Sequence, residues 1–539
     1  MRSYVVVAIL VRLFIALSTK TFFQPDEYFQ SLEVAHHLVF GYGHLTWEWR
    51  SPLPIRSIIY PAFNVPVYWL AKVTKLDQTT FLIAGPKVLH GILGACTDIW
   101  IAGVTRNVLG ERYVLVFLSL TSFFNALSLT RSLSNSLETS LTTIALSYFP
   151  WDAHKSFDRA AIRTSFTFAA LACAVRPTNA ILWVYISAVL VLRLCKNLRQ
   201  LIAVVLDLVV IGSVFTVSVV ALDSAYYNRL TFTPLNFTLT NLSSVSLFYG
   251  SSSWHYYLSQ GLPLLCATTL PFVLHGAWLV LGPTGTSAPR TMLGLIAWTM
   301  SIYSLASHKE WRFLHLLLPL LHILASKSLV DTYYASHQPL RKSLPIRVDH
   351  MCLLLVTLPA IVYVTLIHGE PQISVMHYLR SLPANELQSI GFLMPCHSTP
   401  WQAYLHKPEL ADAGRMWALG CEPPLSLDGR PMSNYTDQTD FFYLSPLQYL
   451  SERFPDTVDR TFPPSPFPSS IPCITRPDDD SWRHEWPIYL VMFGALLEDH
   501  SVKALLLDKG YKEVWARNKG WEVDSRRTGG VRLWKYATG

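Results

Sequence analysis

Long apolar runs separated by short polar stretches occupy most of residues 4–368. They fall at roughly 4–20, 57–71, 80–104, 113–130, 135–150, 163–175, 180–194, 201–222, 262–281, 291–306, 313–329 and 350–368. A helix needs about 20 apolar residues to cross bilayer hydrocarbon, and several of these runs are shorter. The pattern predicts a mainly α polytopic membrane protein with about 10–13 membrane helices, some tilted, broken or re-entrant. Two longer connections, 21–56 and 223–261, are polar and aromatic, and each is expected to cover the membrane part on one side. From residue 369 the pattern changes. Proline becomes frequent (PPSPFPSSIP at 463–472), and apolar runs at 488–497, 504–509 and around Val514 predict short strands and helices of a small α/β domain. The expected division is a membrane domain at 1–368 and a C-terminal domain at 369–539.

Composition supports this reading. Apolar residues make up 51% of the 539 and charged residues only 15%, with mean hydropathy +0.29, against about 25% charged in a soluble domain. The net charge of +7 sits in Lys/Arg clusters between apolar runs. That argues for topology-setting loops rather than nucleic-acid binding. The first apolar run contains Arg12 and lacks a small-x-small cleavage site, so a retained first helix is expected. The basic stretch Arg341-Lys342…Arg347 predicts a cytosolic loop. That puts everything after residue 368 on the luminal side, in agreement with the sequon at Asn434. Two further sequons begin at Asn236 and Asn241. Three cysteines, Cys396, Cys421 and Cys473, lie in the polar C-terminal part, enough for one disulfide and one free thiol. No phosphate-binding loop, GxGxxG, HExxH, GxSxG or CxxC is present, which argues against nucleotide-driven transport and zinc hydrolysis. No metal and no cofactor is expected.

Four polar constellations break the apolar pattern. Asp26-Glu27 follows the first run directly, where carboxylates are costly unless they face water or a polar cavity. Tyr28, Leu32, Ala35 and Val39 recur at helical spacing after Pro25, predicting a short amphipathic helix along the membrane surface. The acids either decorate its first turn or supply a general base. As neighbours they point about 100° apart, so a shared metal is disfavoured. In SHKEWRFLHLLLP (307–319), His308, Arg312 and His315 fall at i, i+4 and i+7, a stripe of donors suited to a lipid phosphate. The bland alternative is an interfacial loop meeting headgroups. FYGSSSWHYYLSQGL (248–262) brings Trp254, His255 and Tyr256 together, for sugar stacking or for the interface belt. Arg176-Pro177-Thr178-Asn179 places a cation between two apolar runs, where it needs a partner anion.

The segment PDEYFQSLEVAHHLVFGYGHLTWEW, followed by Pro54-Ile-Arg56-Ser57…Tyr60-Pro61, resembles the first luminal loop of glycosyltransferase family 22. These are endoplasmic-reticulum mannosyltransferases that use dolichyl phosphate mannose. Arg176-Pro177-Thr178, Trp254-His255-Tyr256-Tyr257 and HKEWRF also look like shared features of that family. The wording YFQSLEVAHHLVFGYG…LTWEW and MPCHSTPW (394–401) is most similar to members that add the third mannose to a glycosylphosphatidylinositol (GPI) precursor. Gln24 departs from the residue expected before Pro25.

The resemblance implies a GT-C fold in the endoplasmic reticulum membrane with its active site on the luminal face. It implies a dolichyl phosphate mannose donor and a GPI-precursor glycolipid acceptor. Asp26 takes the role of the loop-one catalytic acid, with Glu27 as second choice. His308, Lys309 and Arg312 would stabilise the donor phosphate, and Trp254, His255, Tyr256 and Arg176 would contact substrate. The alternatives are a fourth-mannose or N-glycan mannosyltransferase of the same family and, in another class, a lipid-linked-sugar transporter or flippase.

Overall fold

The computed structural model describes residues 2–152, 157–243, 245–248, 250–283, 285–336, 344–412, 414–424, 435–466, 482–518 and 520–537. Among the described residues, six helical stretches are long and apolar enough to cross a membrane: Phe81–Val108, Pro177–Leu194, Leu198–Tyr227, Tyr257–Leu281, Trp311–Ser336 and Val348–Ser381. Other apolar runs form shorter or more polar helices packed among them, including Arg2–Ser18, Ser134–Tyr148, Arg159–Val175 and Ser287–Ser304. Leu198–Tyr227 exposes Val209, Val210, Val214 and Val217. An apolar face of that length has lipid as its natural solvent.

Two features explain how polar sequence folds inside this apolar body. Ser134–Tyr148 is buried along nearly its whole length, between Phe81–Val108 and Arg159–Val175. Its hydroxyls stay satisfied by bonding back one turn, as Thr139 Oγ1 does to the Asn135 carbonyl (2.7 Å) and Thr143 Oγ1 to Thr139 (2.7 Å). Arg12, which interrupts the first apolar run, pairs with Asp98 at 2.6 and 2.9 Å and donates to the Ser119 carbonyl at 2.7 Å, all fully buried. An intramembrane cation is tolerated because its anion and a carbonyl are both supplied. Close helix approach relies on glycine at one point: a β-carbon on Gly276 would collide with the Leu324 carbonyl.

The C-terminal part is built on five strands, β1 (Ile390–Leu393), β2 (Met416–Ala418), β3 (Tyr489–Phe493), β4 (Tyr511–Arg517) and β5 (Val531–Tyr536), in the order β2-β1-β3-β5-β4. β1 pairs parallel with β2 and β3, while β5 runs antiparallel to β3 and β4. The predicted apolar runs correspond to β3, the helix His500–Asp508 and β4. The sequons at Asn236 and Asn241 lie on the helix Thr233–Leu242. Asn434, Cys473, Arg341, Lys342 and most of the proline-rich stretch lie outside the described residues.

The predicted helix after Pro25 is present as a wide turn, Tyr28–Leu32, continuing into Glu33–Phe40 and ending at Gly41, whose φ of 87° a side chain would resist. Its expected place along the membrane surface is corrected. Tyr28, Leu32 and Ala35 pack in one core with Ile390, Phe392, Tyr404 and Leu405 of the C-terminal part. The apolar stripe was real, but protein covers it. Glu33, fully buried on the same helix, accepts backbone N–H bonds from His44 (2.8 Å), Gln402 (3.1 Å) and Ala403 (2.8 Å). Burial pushes its carboxyl up to about 7 against the pull of those three donors. The C-terminal part is thus hydrogen-bonded onto the first connection.

Candidate active site

Asp26 and Glu27 occupy the first turn after Pro25, and their roughly 100° separation sends them to different environments. Asp26 faces a cleft of about 400 Å³. Glu27 turns into the protein and pairs with Arg131 at 3.1 Å, both nearly inaccessible. Arg131 also donates to Thr21 Oγ1, to the Thr21 carbonyl and to the Leu127 carbonyl, each at 2.7 Å. Glu27 is therefore a structural carboxylate, a correction to its candidacy as the catalytic acid. It does not line the cleft.

The segment HKEWRF reaches the cleft from the opposite side of the sequence. It is not a regular helix: an irregular stretch precedes a 3₁₀ turn, Trp311–Leu317, and only then does the α-helix Leu318–Ser336 begin. The expected single stripe of His308, Arg312 and His315 is thereby corrected. His308 precedes the turn, and His315 stands one 3₁₀ turn deeper than Arg312, fully buried and off the cleft, where Nε2 meets Asn125 Oδ1 at 3.1 Å. His308 and Arg312 do line the cleft. Arg312 Nη1 donates to Asp26 Oδ2 at 2.6 Å, and its Nε and Nη2 grip Glu310 at 2.5 and 2.9 Å. His308 Nε2 lies 3.2 Å from Glu310 Oε1. Burial alone would raise Glu310, but Arg312 and His308 hold it well below the usual carboxylate range. The Glu310 bond in turn raises His308 above its ordinary value against the opposing effect of burial.

A guanidinium has five N–H donors. With three engaged by carboxylates, Arg312 keeps one on each terminal nitrogen. Asp26 is thus held in one orientation while the cation next to it retains donors for an incoming anion.

Lys309, expected beside Arg312, is buried and donates to the Ser252 carbonyl at 2.8 Å. It ties the connection to the membrane part and does not line the cleft. Trp254 is 72% exposed with its edge against His255, and His255 Nδ1 meets Ser259 Oγ at 3.0 Å. Neither they nor Tyr256 line the cleft; Tyr257 does. The correction is one of direction: the chain enters a helix at Tyr257–Gly261, so only one ring of the cluster turns inward. Arg176 lines the cleft and finds the anion it needs in Glu138, at 2.9 Å, with Ser134 Oγ at 3.0 Å.

Other cleft residues carry no strong local signal. Glu48 and Arg56 form a pair with bonds of 3.0 and 2.6 Å. The helix Thr233–Leu242 contributes Phe237, Thr240 and Asn241, so the second connection does cover this side. His397 and Cys421 enter from the C-terminal part. Cys421 is disulfide-bonded to Cys396, which fixes the segment carrying His397 over the cleft.

Residues 3–406 match the family model described as the Alg9-like mannosyltransferase family. The chain is 33% identical to "GPI mannosyltransferase 3" of Aspergillus fumigatus, with 97% of this chain and 76% of the relative covered. It is 35% identical to the protein of that name in Debaryomyces hansenii, over 84% and 81% of the two chains. It is 33% identical to human "GPI alpha-1,2-mannosyltransferase 3", over 94% and 82%. Among solved structures it is similar to ArnT from Cupriavidus metallidurans bound to undecaprenyl phosphate, with TM-score 0.59, 13% identity and 99% and 97% of the two chains covered. That likeness shows the GT-C fold expected from the sequence.

Proposed function

The chain belongs to the Alg9-like mannosyltransferase family, and on that premise we propose that it transfers mannose from dolichyl phosphate β-mannose to the second mannose of a GPI precursor, forming an α-1,2 linkage. Asp26 is the general base. The acceptor 2-oxygen attacks the anomeric carbon as the bond from that carbon to the phosphate oxygen breaks. Dolichyl phosphate leaves with the electron pair, and the hydroxyl proton passes to Asp26. Conversion of β to α in one displacement inverts the centre. The leaving phosphate gains negative charge, and the two remaining N–H donors of Arg312, with His308, stabilise it. Phosphate is a good leaving group, so the scheme requires neither a general acid nor a metal.

The observation that carries this reading is the contact of Asp26 with Arg312 inside a cleft large enough for a disaccharide and a phosphate. The reading places the enzyme in the endoplasmic reticulum with the cleft facing the lumen. Purified protein supplied with dolichyl phosphate mannose is expected to extend a dimannosyl GPI acceptor and to leave a trimannosyl one unchanged. Extension of the trimannosyl acceptor alone would assign the fourth mannose. Absence of transfer to either would remove the enzymatic reading.

A further inference from the structure

Beside the Asp26–Arg312 contact, the cleft holds a second charged pair to which the mechanism gives no task. Glu48 sits on the turn Trp47–Arg50, between the buried rings of Trp47 and Trp49. Its Oε1 accepts both the Nε and the Nη2 of Arg56, at 3.0 and 2.6 Å, and lies 3.5 Å from Gln30 Nε2. All three side chains line the cleft. Oε2 accepts no hydrogen bond from the described residues, and the Arg56 guanidinium lies over the Phe237 ring at 6.0 Å. Arg56 is also within electrostatic reach of both Asp26 and Arg312. One carboxylate oxygen is therefore engaged by Arg56 while the other keeps its lone pairs open, on a residue that lines the same cleft as Asp26.

We propose that the Glu48–Arg56 pair, with Gln30, is the clamp that holds the acceptor sugar. The chemistry favours a neutral polyol over the donor phosphate. A carboxylate oxygen with an open lone pair accepts sugar hydroxyls but repels a phosphate. The guanidinium offers its remaining N–H donors to ring and hydroxyl oxygens. Phe237 closes the clamp from the second connection, an apolar face for the C–H side of a pyranose. The pair is thus a specificity determinant for the acceptor, selecting a sugar whose hydroxyls near the reacting oxygen are unsubstituted.

This inference rests on the functional reading above, so its test separates the two. In Glu48→Gln and Arg56→Lys enzymes, the KM for the dimannosyl GPI acceptor should rise about tenfold, the weight of one hydrogen bond to a charged group. The KM for dolichyl phosphate mannose and the melting temperature should stay unchanged. A rise in donor KM would assign the pair to the phosphate, and a fall in kcat and melting temperature with both KM values unchanged would make it structural. Either result overturns the clamp. Calorimetric binding of a synthetic dimannoside to the same proteins gives a second readout. Saturable binding lost in Glu48→Gln without any transfer by wild type would retain the clamp and sink the mannosyltransferase reading. Binding equal in wild type and variant would sink the clamp alone.

Discussion

Asp26 Oδ2 and Arg312 Nη1 lie 2.6 Å apart although 286 residues separate them in the chain. The contact joins the first connection to the motif that precedes the Leu318–Ser336 helix, and it fixes one carboxylate oxygen while the other side of Asp26 faces the cleft. A base held this way needs no reorientation when the acceptor arrives.

Asp26→Asn keeps the size and the hydrogen bond from Arg312 but cannot take a proton. Transfer should fall by a factor on the order of 10²–10⁴, the usual weight of a general base, with donor binding retained. Mannose transfer and donor binding measured on the same membranes check this; turnover near wild type at equal protein level would remove Asp26 as base.

Glu27→Gln should behave differently despite its adjacency. It leaves Arg131 buried without its anion, a loss of about 3–5 kcal/mol when one partner of a buried pair is removed. The expected result is a lower melting temperature, with donor and acceptor KM unchanged in the protein that folds.

Arg312→Ala removes the cation between Asp26 and Glu310 and should raise the donor KM roughly 100-fold, the weight of two charge-assisted bonds. Arg312→Lys keeps the charge but not the fork geometry that grips Glu310, and should fall between. Donor saturation curves for the two variants give the order, and an unchanged donor KM in Arg312→Ala would exclude a phosphate role.

The pH profile should report His308. Its bond to Glu310 raises it above 6.5, so the protonated imidazole is favoured by folding. That stabilisation is complete below about 6.5 and is lost as pH rises through the raised value. Donor kcat/KM should decline along the same alkaline limb. His308→Gln should flatten the decline; an unchanged alkaline limb in that variant would show that another group titrates there.

Cys396 and Cys421 close a loop with a separation of 25 residues. Replacing both by serine should cost ~3.5 kcal/mol in the chain-entropy account and loosen His397 above the cleft. Thermal unfolding with and without reductant checks the first effect. A wild-type melting temperature insensitive to reductant would show that the bond adds little.

Much was legible in the sequence because it depends on local period and on solvent. Apolar runs broken by polar connections dictate membrane helices, since lipid cannot satisfy a bare backbone. Acids placed directly after such a run have few tolerable roles, so Asp26 was visible before any fold was known. The runs around 488–514 announced short strands and helices for the same reason of period, and the fold makes them strand, helix and strand.

What the sequence could not decide is where side chains separated by hundreds of residues meet. Two adjacent acids look alike in a string; only the turn after Pro25 sends Asp26 to Arg312 and Glu27 to Arg131. A helical period drawn through HKEWRF fails because that segment folds as an irregular stretch and a 3₁₀ turn, which separates His315 from His308. The apolar stripe of the first connection announced burial but not its partner, which proved to be the C-terminal part and not lipid. Periodicity encodes which faces avoid water. Which charges share a cavity is set by packing between distant segments, and that exists only once the chain has folded.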